Sequence, residues 1–84
     1  MTYEVLCSDL ALKQLSKLDK EIGQRIIATL ERIRTRPDAY VKKLVGDEGY
    51  RLRVGNYRVI VDLDREKLII LVLRIGHRRN VYDS

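Results

Sequence analysis

The chain is predicted to be an α+β protein of element order β-α-α-β-β-β, a small antiparallel-type sheet with a two-helix hairpin packed on one face. Three features of the sequence point to this. Apolar residues recur at helical spacing in the first half, at Ala11, Leu12, Leu15 and Leu18 and again at Ile22, Ile26, Leu30 and Ile33. Apolar and polar residues alternate on both sides of Gly55-Asn56, the pattern of a β-hairpin. Residues 68–73 are apolar throughout, as in a central strand covered on both faces.

Residues 2–7 form a short first strand in which Cys7, the one cysteine, packs as a small hydrophobe. Ser8 is placed to cap a helix over 9–18 whose outer face carries Lys13, Gln14 and Lys17. Asp19 can cap the second helix, Gly23 weakens it slightly, and Pro37 ends it. Helices joined so tightly should form an antiparallel hairpin. Residues 39–49 read as irregular, with turns at Gly46 and Gly49. Strands follow over 50–54, 57–63 and 68–75, the last two joined by the polar turn Asp64-Arg65-Glu66-Lys67. Gly76 is expected to break the last strand and turn the chain across the sheet end. Two helices cover only one side of such a sheet, so something else must cover part of the other, and a bound partner is a candidate.

A length of 84 residues allows one domain, 1–84, and excludes a second catalytic domain. Hydrophobic residues at 45% with charged residues at 35% describe a compact chain rather than a disordered one. The net charge of +5 favours a negatively charged partner: nucleic acid, anionic lipid or an acidic protein. A single cysteine permits no internal disulfide, and no Cys/His zinc spacing exists, so no metal or cofactor is expected. Without a signal-peptide pattern or a run of about 18 apolar residues, a soluble, cytoplasmic protein without a membrane partner is expected.

The hairpin carries the first chemical clue. A two-residue loop sets Val54 opposite Tyr57, Arg53 opposite Arg58, Leu52 opposite Val59 and Arg51 opposite Ile60, so Arg51, Arg53 and Arg58 share one face. Like charges facing each other at about 5.5 Å are destabilising, which calls for an anion between them. The planar guanidinium fork suits phosphate best. A turn after Gly76 would bring Arg78 or Arg79 to the same cluster, and Tyr82 offers a ring on which a base can stack. Lys42 and Lys43 read as phosphate contacts, or as a base if desolvated. Lys13, Lys17, Lys20, Arg25, Arg32 and Arg36 read as a solvated helix face that would also suit rRNA phosphates.

Taken together, the run 50–59, the Gly76-His77-Arg78 turn and the Val81-Tyr82 ending resemble the RelE/ParE superfamily of bacterial and archaeal toxins, and its RelE-like branch in particular. The resemblance covers essentially the whole chain, including Ala11-Leu12-Lys13, Pro37, and Leu44 with Gly46. It implies a toxin of a type II toxin–antitoxin system that cleaves mRNA in the ribosomal A site by metal-independent attack of the RNA 2′-OH. By position, Arg51 and Arg53 match a basic pair that is lysine in some members, Arg58 the third-strand arginine, Arg78 the arginine after the fourth strand, and Tyr82 the C-terminal tyrosine.

Arg58 and Arg78 suit charge stabilisation at the phosphate, whereas arginine holds its proton too tightly to act as a base. That role stays open. Tyr82 would serve as a phenolate only if arginines drew its pKa down from about 10, and His77 has an ordinary pKa near 6.5 but equally suits a turn residue bonded to backbone. Glu48, Asp62 and Asp64 read as solvated or turn-forming, and Glu48, which precedes the hairpin, could also approach the arginines as a base. The implied partners are the ribosome, mRNA and a RelB-like antitoxin, an acidic amphipathic peptide that folds on binding. The alternatives are a ParE-like inhibitor of DNA gyrase, which binds protein without catalysis, and an RNA-binding module without cleavage.

Overall fold

The computed structural model describes residues 1–46 and 49–79. Its elements are β1 (Glu4–Cys7), α1 (Asp9–Ser16), α2 (Lys20–Arg32), a 3₁₀ turn (Pro37–Ala39), β2 (Val41–Lys43), β3 (Tyr50–Val54), β4 (Tyr57–Asp64) and β5 (Ile69–His77). The sheet has five strands in the order β1-β5-β4-β3-β2. Only the β1–β5 pair is parallel. The α+β class and the helices are as predicted, but the sheet is mixed and has one strand more than expected.

Each difference has a local cause. Ser8 directs the parallel pairing: its amide donates to Val72 O at 2.8 Å and its hydroxyl to Leu73 O at 2.7 Å, which keeps the chain alongside β5 until α1 begins. The same hydroxyl accepts from the Ala11 amide at 3.0 Å, capping α1 as predicted. Asp19 occupies the N-cap of α2 without a side-chain cap bond. The extra strand, β2, lies in the segment read as irregular; its three residues include two exposed lysines, a composition that suits an edge strand. Gly76 does not break the last strand, which runs on to His77 and pairs Gly76 with Arg58.

Both helices lie on one face. Ala11 of α1, Ile26 and Leu30 of α2, and Ile33 just beyond it pack with Leu52, Val54, Val59, Val61, Ile70, Val72 and Ile75. Ile26 and Ile33 are fully buried, each contributing about 1.5–3 kcal/mol of transfer free energy. Gln14, expected on the outer face, instead accepts the Ile75 amide at 2.6 Å, beyond the point where β1 stops pairing with β5. Further contacts pin the sheet ends. Arg34 donates to Tyr3 O at 2.7 Å, and Arg65 reaches Asp38 at 2.6 Å and the Tyr50 hydroxyl at 3.1 Å. Those bonds, to Tyr50 first and then Asp38, hold the Arg65 guanidinium charged even more firmly than usual.

The open face is partly covered from within the chain. A register shift sets Ile60 opposite Arg74 but Val61 opposite Val72, so Leu73 is the extra residue of a β-bulge. Leu73 packs with Leu44 and Ile60, both buried, in a small second cluster. Leu44 follows β2, its amide bonded to Gly49 O at 3.1 Å. Part of the cover that this face requires is therefore supplied by Leu44.

Candidate nucleic-acid interface

The hairpin has the predicted register, with Arg53 opposite Arg58 and Arg51 opposite Ile60. Gly55 alone in the loop has positive φ (59°), the mark of a type II′ turn, whose twist matches that of the flanking strands. On the other side of β3, Lys42 stands opposite Arg51. Strand alternation puts Lys42, Arg51, Arg53 and Arg58 on the face away from the helices.

These four side chains and Tyr40 line a cleft of about 120 Å³. Four cations and one aromatic ring, with no carboxylate among the described lining residues, make a wall of one sign. Such a wall focuses the field on an anion entering the cleft. Gly76 stands beside Arg58 on β5 and adds no side chain of its own to that flank. Arg53 Nε also lies 3.5 Å from Gly55 O, at the limit of a hydrogen bond.

Arg78 reaches the same end of the sheet by its backbone, since its amide donates to Asn56 O at 2.9 Å. Its side chain and that of Arg79 are exposed. His77 is not brought to the arginines: it pairs with Tyr57 on the helix-side face, their rings edge-to-face at 5.4 Å, and its Nδ1 accepts the Arg79 amide at 3.3 Å. Lys43 stands opposite Tyr50, one position out of phase with Lys42 and so on the other face. Asp64 accepts the amides of Glu66 and Lys67, and Asp62 that of Leu63, in keeping with turn roles. Tyr82 and Glu48 lie outside the described residues.

Tyr40 was not read as a site residue from the sequence. Its signal is the alternation Tyr40-Val41-Lys42, in which buried Val41 marks the inner phase and leaves Tyr40 and Lys42 to the outer one. Among the described residues no three His, Cys, Asp or Glu side chains gather to hold a metal ion. No described helix is long and apolar enough to cross a membrane.

Comparison with known proteins agrees with this fold. A family profile, that of the ParE toxin of type II toxin–antitoxin systems, parDE, matches residues 5–82. A protein of Escherichia coli described as a RelE-like toxin is 33% identical over 81 residues, spanning 93% of this chain and 85% of that protein. Among solved structures, the toxin–antitoxin complex RelBE2 of Mycobacterium tuberculosis superposes with a TM-score of 0.85 at 26% identity, covering 93% of this chain and 100% of that one. The RelB–RelE complex of Methanococcus jannaschii gives 0.72 at 28% identity over 93% and 95% of the two chains. An arginine double mutant of E. coli RelE in its free state gives 0.76 at 27% identity over 92% and 84%.

Proposed function

The chain belongs to the ParE toxin family of type II toxin–antitoxin systems, and from that premise we propose that it is a ribosome-dependent mRNA endonuclease of the RelE type, held inactive by a cognate antitoxin. The observation that carries this reading is the cleft lined by Lys42, Arg51, Arg53 and Arg58. Arg53 stands opposite Arg58 across a strand pair, where repulsion costs stability and the planar forks suit the oxygens of a phosphate. A phosphodiester between them converts that cost into binding.

In this mechanism the RNA 2′ oxygen attacks the adjacent phosphorus, and negative charge grows on the non-bridging oxygens. Arg53 and Arg58 offer paired N–H donors to those oxygens. Arg51 holds a neighbouring phosphate, Arg78 closes over the scissile group from the hairpin end, and Arg79 contacts the backbone beyond it. Tyr82 supports the nucleotide by stacking. The ribosome contributes by holding the message in attack geometry, so free RNA is a poor substrate. A RelB-like antitoxin fits as partner, since two of the related toxins named above, those of M. tuberculosis and M. jannaschii, were solved in toxin–antitoxin complexes.

One observation favours a second reading: the matching profile is that of ParE, which carries the gyrase-inhibitor alternative with it. The two separate in one experiment. Toeprinting of programmed ribosomes should show cleavage at the A-site codon that falls by about 10²-fold or more in Arg58→Ala and Arg78→Ala. Intact message together with stalled gyrase–DNA complexes would instead establish the gyrase-directed activity.

A further inference from the structure

We infer that Lys42 is the group that removes the proton from the attacking 2′-OH, a role that rests on the nuclease reading. The cleft holds three guanidiniums, and a guanidinium keeps its proton under all working conditions. It therefore stabilises charge but cannot start the reaction. Lys42 and Tyr40 are the only described lining residues that can offer a lone pair. Tyr40, 51% exposed and just outside β2, is suited to stacking a base at the rim. Lys42 stands within the arginine array, directly opposite Arg51.

The other described candidates are engaged elsewhere. His77 is on the opposite face with Nδ1 occupied by the Arg79 amide, and the Asp62 and Asp64 carboxylates accept backbone amides. Among the described strands β2 lies at the sheet edge and pairs only with β3, and the Lys42 side chain is exposed, open to an RNA strand entering the cleft.

The step balances as follows. Neutral Lys42 takes the 2′ proton, the 2′ oxygen forms its bond to phosphorus, and the bond from phosphorus to the 5′ oxygen breaks with its electron pair on that oxygen, which is protonated by water. The hydroxide so formed takes the proton from the Lys42 ammonium. The products are a 2′,3′-cyclic phosphate and a 5′-hydroxyl end.

The test is single-turnover cleavage on programmed ribosomes by wild type, Lys42→Arg and Lys42→Ala. Both variants should slow by about 10²-fold or more, because arginine keeps the charge but cannot accept the proton. Small primary amines should restore Lys42→Ala in proportion to their free-base concentration, while guanidinium should not. Lys42→Arg within about threefold of wild type, or rescue by guanidinium as effective as by amines, would reduce Lys42 to a phosphate contact and overturn the assignment while leaving the nuclease intact. A wild-type protein that leaves message uncut removes the nuclease reading, and this role with it.

Discussion

Arg53→Glu should stabilise the protein while abolishing its activity. Arg53 and Arg58 are directly paired across β3 and β4, and a glutamate would turn their repulsion into attraction. Direct cross-strand pairs are worth about 0.2–1 kcal/mol, so removing an unfavourable pair and adding a favourable one gives a swing of about 1 kcal/mol, held down by the exposure of residue 53. For 84 residues the unfolding entropy is about 180 cal/mol/K, so 1 kcal/mol raises Tm by about 6 °C. The assay is thermal unfolding by circular dichroism at 20 mM and 1 M salt. Screening to about 3 Å at 1 M should remove most of the gain. A variant that melts at or below wild type at low salt, or a gain indifferent to salt, would refute the view that this face gives up stability in order to hold an anion.

Two further outcomes follow from the fold. Gly49→Ala should lose about 1–3 kcal/mol in urea unfolding, because φ is +103° and an added Cβ would stand 3.1 Å from Val61 O; a midpoint equal to wild type would show that the loop relaxes freely. Burial pushes the Cys7 thiol up from its ordinary value, so less of it is thiolate at neutral pH. Iodoacetamide should therefore react with it more slowly than with free cysteine, with a gap that closes in denaturant. Because folding favours the neutral thiol, the same shift makes folding less favourable as pH rises past the thiol's ordinary value.

The hairpin is legible because every determinant of it is local: two loop residues set the register, and alternation decides which face each arginine takes. The helices and the Ser8 cap are legible for the same reason. What escapes the sequence depends on distant neighbours. Val41–Lys43 has one apolar residue and becomes a strand only because β3 offers an edge, so the sequence suggests Lys42 as a phosphate contact without the pairing that sets it opposite Arg51. Gly76 has the local character of a breaker, yet pairing with Arg58 keeps it in the ladder. That one extra paired position also decides the side of the sheet on which His77 falls. Gln14 looks like a solvent-facing side chain until the part of the β5 edge that β1 does not reach is set beside it.

The parallel pairing of β1 with β5 also bears on when the protein can exist in its folded form. Ser8 and Leu73, joined by a hydrogen bond, are 65 residues apart in the chain. Synthesis delivers β1 well before β5, the strand it pairs with among the described residues. The β2–β3–β4 meander that carries the cationic wall can assemble from neighbours, but β1 must wait, unpaired, until β5 has cleared the machine that makes it. A nascent copy is thus kept from its finished architecture until β5 emerges, an interval in which an inhibitor already present has time to meet it.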